Sequence, residues 1–135
     1  MLYSIDTGKP GAGEIATMVM VFAGEYDIAG KERFRADLER LLEIPNVVLD
    51  LTDVTYADST AITELLRLHN ARKSKGHPTE TLVVPGKNLQ KVFELLDLRR
   101  VFRFVPSLDR AVPKSGEPVA IEYAFPGSTP AYPGA

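Results

Sequence analysis

The chain has 135 residues, of which 44% are hydrophobic and 25% are charged, with 16 basic against 18 acidic side chains and no cysteine. This length favours a single domain with a sizeable core, and the lack of cysteine excludes disulfides and thiolate zinc sites. A formal net charge of -2 provides no general attraction for a phosphate backbone, which disfavours nonspecific binding to DNA or RNA.

The N-terminal region gives no sign of export or membrane insertion. Its longest apolar run, residues 15–23, is shorter than the roughly 20 residues that cross a bilayer. The residues before it carry Asp6 and Glu14 around a Gly/Pro-rich stretch at 8–13, which differs from the basic and then apolar pattern of a signal peptide. We expect a cytoplasmic protein.

The first half of the chain alternates between strand and helix patterns. Residues 17–23 are rich in β-formers and end at Gly24, which predicts a buried strand, paired across the Gly/Pro loop with a short strand at 2–5. Apolar residues at helical spacing predict an amphipathic helix over 31–43. The apolar run 47–51 predicts a central strand that is covered on both faces.

The second half continues the alternation. We predict a helix over 59–75, a strand at 81–84, a helix face over 89–96, a strand at 101–105 and a short helix at 107–112. The order β-β-α-β-α-β-α-β-α indicates an α/β fold with a mixed, mostly parallel sheet of about five strands and about four helices.

The C-terminal region differs in composition from the rest. Five of the ten prolines fall within the last 23 residues, together with three glycines. Such a composition is typical of segments that form no packed element. We therefore predict one domain over residues 1–112 and a flexible Pro/Gly-rich tail over 113–135.

Three possible catalytic or ligand-binding motifs lack necessary parts. The glycine-rich stretch 8–13 has neither the Lys-Ser/Thr ending of a phosphate-binding loop nor a helix after it. His69 and His77 are too few for a histidine metal site without carboxylate help. The residues around Ser59 lack the glycines of a hydrolase nucleophile elbow. We expect no catalytic residue, no metal site and no cofactor.

Polar residues follow two neighbouring strands of the predicted sheet. The tetrapeptide Gly-Glu-Tyr-Asp at 24–27 ends one strand, and residues 53–59 join the next strand to its helix. The carboxyl ends of parallel strands are where α/β sheets usually place sites. The alternative is that Asp58 or Ser59 only caps the helix, which is a stabilising role common for these residue types.

The sequence resembles a known family at these two places. Residues 50–62, DLTDVTYADSTAI, resemble the signature of the STAS family, the anti-sigma factor antagonists, in which a strand and an acidic turn precede Asp-Ser-Ser/Thr-Gly at a helix start. The tetrapeptide at 24–27 resembles that family's Gly-Glu-Leu-Asp turn. The order of elements agrees through about residue 112. The family pattern has glycine where this chain has Ala61.

The resemblance implies a binding protein that switches partners and is not an enzyme. Ser59 corresponds to the serine that is phosphorylated by a serine kinase, which is also the anti-sigma factor, and Thr60 is the fallback acceptor. The unmodified protein binds the kinase and frees a sigma factor; phosphorylation ends this binding and a phosphatase restores it. No direct contact with nucleic acid is expected. The partner-binding residues expected are Glu25, Asp27, Asp58, Ser59, Thr60 and Ala61.

The expected switch has a simple physical basis. A phosphate on Ser59 would lie beside unpaired N–H groups of the first helical turn and the positive end of the helix dipole. It would add about -1.5 to -2 charges near Asp58, Asp27 and Asp53, so a partner fitted to a neutral hydroxyl would be repelled. The methyl group of Ala61 is expected to hinder the close approach of a partner backbone.

Two other functions are compatible with the sequence. The same fold could serve as a cytosolic STAS subunit of a lipid-transport or stress-sensing complex that does not switch. A small hydrolase with Ser59 as nucleophile is the third possibility, and the sequence offers no triad for it.

Overall fold

The computed structural model describes residues 17–112 and 119–124. Within them the chain forms five strands and four α-helices, with single 3₁₀ turns at Ile28–Gly30 and Leu98–Arg100. In chain order the elements are β1 (Thr17–Tyr26), α1 (Lys31–Glu39), β2 (Asn46–Ala57), α2 (Ser59–Ser74), β3 (Thr81–Val83), α3 (Lys87–Leu95), β4 (Arg103–Val105), α4 (Leu108–Ala111) and β5 (Val119–Ala124).

The five strands form one sheet in the order β4-β3-β2-β1-β5, and every adjacent pair is parallel. The predicted α/β class, with about five strands and four helices, is confirmed. Parallel neighbours require crossover connections, and each helix between two strands supplies one. All strands therefore point their carboxyl ends toward the same edge of the sheet.

The core lies on both faces of the sheet. One face packs against α1, α2 and α3, with Phe22, Leu49 and Leu82 among its fully buried side chains. The opposite face holds a smaller cluster of valines from the four strands β1 to β4, against which α4 packs. The central strands have nearly continuous apolar sequences because both faces of the sheet are covered.

The C-terminal region contributes an element that the composition did not suggest. Residues 119–124 form β5, which pairs with residues 17–22 of β1. The prediction that nothing after residue 112 packs is therefore wrong for this segment, since its alternating apolar residues Val119 and Ile121 join the smaller core cluster. Residues 113–118 and 125–135 of the predicted tail lie outside the described residues.

The short strand predicted at 2–5 also lies outside the described residues. Its expected place beside β1 is occupied, however, because β2 pairs with one edge of residues 17–22 and β5 pairs with the other. A strand has only two hydrogen-bonding edges. Among the described residues, β5 is thus the second neighbour of residues 17–22, a position that the sequence had not assigned to it.

A buried ion pair fixes the C-terminal end of α2. The Nε of Arg72 donates to Glu80 Oε2 at 2.6 Å, and both side chains are almost fully buried. Glu80 Oε1 also lies 2.7 Å from His69 Nδ1. The remaining guanidinium nitrogens donate to four backbone carbonyl groups, those of Leu41, Ile44, Pro45 and Pro78. Arg72 thus joins two loops to the helix.

A second ion pair joins α1 to α2. The guanidinium of Arg35 donates to both carboxylate oxygens of Glu64, at 2.9 Å and 2.7 Å. This bidentate hydrogen bond lowers the pKa of Glu64, and it outweighs the opposing effect of burial. The pair therefore holds the two helices together in its ionised form.

Within the described part of the chain, none of the helices has the length and apolarity that crossing a membrane requires.

Candidate functional site

The carboxyl ends of β1 and β2 meet at one edge of the sheet. Ala23 pairs with Asp53, Glu25 with Tyr56 and Tyr26 with Ala57, with irregularities in the register on both sides of the Ala23–Gly24 step. Gly24 has a φ of 93°, which is favourable only for glycine, so it permits the local distortion. The residues 24–26 and 53–57, expected to form turns, instead extend the two strands and bring both motifs together.

Asp58 caps the N-terminus of α2. Its Oδ1 accepts hydrogen bonds from the backbone N–H groups of Thr60 at 2.9 Å and Ala61 at 3.1 Å. Its own backbone N–H donates to the carbonyl of Tyr26 at 3.1 Å. The capping alternative considered from the sequence is therefore correct for Asp58, which satisfies two of the first amides of the helix.

Ser59 is the first residue of α2 and is exposed to solvent. Its backbone carbonyl accepts a hydrogen bond from the hydroxyl of Thr63 at 2.8 Å. Thr60 follows in the same turn and is partly buried. Ser59 is thus the more exposed residue of the two expected acceptors.

The capping bonds change the expected surroundings of a modified Ser59. Two first-turn amides, those of Thr60 and Ala61, are occupied by the Asp58 carboxylate. The expectation that a phosphate would find these N–H groups unpaired is therefore wrong. A phosphate on Ser59 would instead lie next in sequence to the carboxylate that already neutralises part of the helix dipole.

Four acidic residues lie in the last part of β1 and β2 or directly after these strands, and we call them the acidic rim: Glu25, Asp27, Asp53 and Asp58. Glu25 and Asp53 are exposed near the ends of β1 and β2, and Asp27 and Asp58 are partly buried. Asp27 also has a capping role, because its Oδ1 accepts from the N–H of Ala29 at 3.0 Å. The rim makes this edge of the sheet locally electronegative.

Ala61 does not belong to the exposed surface. It is only 3% exposed and packs in the main core with the side chains below α2. The expectations that Ala61 contacts a partner and that its methyl group hinders a partner backbone are therefore wrong, since the methyl group points inward. At this position alanine instead of glycine favours the helix by about 1 kcal/mol.

A groove whose lining along β2 ends at Ala57, two residues before Ser59 in the chain, was not foreseen from the sequence. It has a volume of about 450 Å³ and lies between the end of β2 and the first turns of α3. Its β2 wall belongs to the motif at 50–62 but its α3 wall carries no motif, so only the packing of two elements that are distant in sequence reveals it. Its lining residues are Val54, Thr55, Tyr56, Ala57, Gly86, Lys87, Asn88, Leu89 and Val92.

Tyr26 supports the site from inside and was also missed from the sequence. Its ring is buried against Phe22 and Phe34, and its hydroxyl donates to the carbonyl of Ala124 at 3.2 Å and accepts from the N–H of Ala23 at 3.3 Å. Burial raises the pKa of Tyr26. The residue therefore links the site to β5.

The two histidines have separate surroundings. His69 pairs with Glu80, while His77 lies beyond the end of α2. Among residues 17–112 and 119–124, no three side chains of the His, Asp or Glu type are grouped so that they could hold a metal ion.

Comparison with protein families gives a match over most of the chain. The model of the STAS domain matches residues 8–111 of the chain, which is most of its length. Among curated proteins, none matches the sequence significantly.

Solved structures share the fold at low sequence identity. An anti-sigma factor antagonist from Mycobacterium paratuberculosis is 21% identical with a TM-score of 0.61, and the match covers 67% of this chain and 80% of that one. The anti-sigma factor antagonist SpoIIAA in its unphosphorylated form is 16% identical with a TM-score of 0.55, covering 70% and 84%. The Bacillus cell fate determinant SpoIIAA in the phosphorylated form is 18% identical with a TM-score of 0.56, covering 71% and 87%.

Proposed function

The chain belongs to the STAS domain family, and on that premise we propose that it is an anti-sigma factor antagonist switched by phosphorylation of Ser59. The unmodified protein binds an anti-sigma factor that is also a serine kinase, and this binding releases a sigma factor. Phosphorylation ends the binding, and a serine phosphatase restores it. The protein acts in the cytoplasm as a binding partner and not as an enzyme.

The observation that carries this proposal is the exposed position of Ser59 directly after the capping Asp58. A kinase must reach the hydroxyl, and an exposed first helical residue permits that approach. The cap is formed by Asp58 and not by the serine, so modification of Ser59 removes none of the first-turn hydrogen bonds described above. The helix start can therefore remain intact in both states.

The acidic rim supports a switch in which phosphorylation weakens binding and does not strengthen it. A phosphate brings about -1.5 to -2 additional charges to a surface that already carries Glu25, Asp27, Asp53 and Asp58. The proposed partner carries charges complementary to the acidic rim and fits a neutral Ser59 hydroxyl. After phosphorylation the same interface would have to bury a dianion, so its affinity falls. Inverting the bound fraction from 99:1 to 1:99 requires a differential affinity of about 5.5 kcal/mol.

The direct test is to incubate the purified protein with its cognate anti-sigma factor kinase and ATP and to locate the phosphate by mass spectrometry. We expect one phosphate on Ser59, and none on the variant Ser59→Ala. Phosphate on Thr60 in that variant would assign the fallback acceptor. The exposed Ser74 at the other end of α2 provides the matched control, since Ser74→Ala is expected to be phosphorylated like the wild type.

An unmodified chain, under conditions where the kinase phosphorylates another substrate, would overturn the switch. Stable co-purification of such a chain with a transporter or a stress-sensing assembly would then assign the non-switching role. Hydrolase activity that depends on Ser59 would contradict the assignment as a binding protein.

A further inference from the structure

The groove between β2 and α3 is lined largely by apolar side chains, of which Val54, Ala57 and Leu89 also pack against the main core. Tyr56 at the end of β2 is 51% exposed although it is a large aromatic side chain. Leu89 and Val92 line the opposite wall and are only partly buried. Tyr56 is one of the few exposed large apolar residues among those described, so its position beside a groove indicates a contact surface.

The apolar face of α3 is wider than its contact with the core. Phe93 is buried in the main cluster, whereas Val92 is partly buried and Leu96, one turn further, is half-exposed just after the helix. A helix that only packed on the sheet would place polar residues at these flanking positions. Of these residues, Val92 also lines the groove.

The groove is continuous with the proposed switch site. Residues 54–57 form one wall, and the chain passes directly from Ala57 into Asp58 and Ser59. At the Ser59 end lies the acidic rim, while the groove lining itself contains a single charged side chain, Lys87. A segment that covers both regions therefore meets negative charge at one end and apolar surface at the other.

We propose that the groove is the second half of the partner interface and takes a bulky apolar side chain of the anti-sigma factor. Charge complementarity specifies the rest of that segment, because the positions that reach the acidic rim must carry Lys or Arg. This inference rests on the proposed function but adds a contact that phosphorylation does not alter. The apolar side chain supplies affinity, and the rim and Ser59 decide whether the segment can dock.

The test measures the affinity of the purified cognate anti-sigma factor for groove variants by calorimetry. Tyr56→Ser removes the exposed aromatic wall and is expected to weaken binding at least ten-fold. The matched control is Leu95→Ser. Leu95 is an apolar residue at the end of α3 that is 80% exposed and does not line the groove. The affinity of this variant for the anti-sigma factor should stay within two-fold of the wild type.

A second variant tests the groove by the opposite change. Asn88 is exposed in the first turn of α3 and lines the groove, so Asn88→Trp fills the space without disturbing the core. It should also weaken binding at least ten-fold, with an unchanged circular dichroism spectrum. Wild-type affinity in either folded groove variant would overturn the groove inference while the switch at Ser59 stands. Absence of binding by the wild-type protein would overturn both.

Discussion

The backbone N–H of Asp58 donates to the carbonyl of Tyr26 at 3.1 Å, and this bond fastens the start of α2 to the end of β1. The two residues belong to the two sequence motifs, which lie about thirty positions apart. The same Tyr26 reaches β5 through its hydroxyl, which donates to the carbonyl of Ala124. One residue therefore connects the proposed phosphorylation site, the central sheet and the C-terminal strand.

The variant Tyr26→Phe tests this connection. It retains the buried ring but removes the hydroxyl that bonds to Ala124 and Ala23, and we expect a loss of about 1–2 kcal/mol in the free energy of unfolding. Urea unfolding measures the loss, and faster amide exchange in residues 120–124 would locate it. The control Tyr56→Phe, at a half-exposed ring, should change stability by less than about 0.5 kcal/mol. Equal stability of both variants would show that the hydroxyl does not hold β5.

Two substitutions of Asp58 distinguish the effect of its capping hydrogen bonds on stability from the effect of its negative charge. Asp58→Ala removes the acceptor for two amides and should cost about 1–2 kcal/mol of stability, whereas Asp58→Asn keeps an acceptor oxygen and should cost little. Thermal unfolding measures both. Asp53→Ala is the control, because Asp53 is exposed near the end of a strand and caps no helix. A loss in Asp58→Asn as large as in Asp58→Ala would contradict the capping role.

Among the charged residues described, Arg72 should be the one whose substitution most reduces the free energy of unfolding. Arg72→Met leaves the buried Glu80 with its His69 contact but without a guanidinium partner, and it removes the Arg72 donor from four carbonyl groups, so we expect a loss of about 3–5 kcal/mol. Arg72→Lys should rescue only part of this loss, since an ammonium cannot donate to all of these acceptors. The exposed neighbour Lys73→Met serves as the control in urea unfolding. A loss of less than 1 kcal/mol in Arg72→Met would contradict the structural role of the network.

The Arg35–Glu64 pair predicts a specific pH dependence. Because the folded state lowers the pKa of Glu64, the pair stabilises the protein fully above the ordinary pKa of glutamate. That contribution is lost as the pH falls through the lowered value. Since Arg35 is partly exposed, Glu64→Gln should cost only about 1–2 kcal/mol at pH 7, and the difference from the wild type should shrink at pH 3.

Urea unfolding of both proteins at the two pH values checks this prediction. Glu94→Gln is the matched control, because its ion pair with Arg99 is exposed on both sides and exposed pairs contribute little. A loss in Glu64→Gln that is equal at pH 7 and pH 3 would contradict an ionised pair.

Much of the fold could be predicted from the sequence because the apolar spacing and chain breakers are local signals. The predicted helix over 59–75 and the strand at 81–84 lie within a residue or so of α2 and β3. The strand β5 was missed because its six residues lie between Pro/Gly-rich stretches, and its pairing with β1 is a long-range contact that composition does not encode.

The site was predictable in part. The positions of Asp58 and Ser59 follow from helix-start rules that operate within four residues. The inward direction of Ala61, the role of Tyr26 and the groove depend on how α2 and α3 pack against the sheet. The link between Arg72 and Glu80 likewise joins a helix to the residue before β3, so neither residue alone reveals it.

The affinity of the cognate anti-sigma factor for the unmodified protein and for its Ser59-phosphorylated form tests the central claim most directly. We predict that phosphorylation weakens binding at least 100-fold while the circular dichroism spectrum and the exchange of the α2 amides stay the same, and that Ser59→Asp reproduces part of the loss. Equal affinity of the two forms would contradict the proposed switch, and a loss accompanied by unfolding of α2 would contradict its surface mechanism.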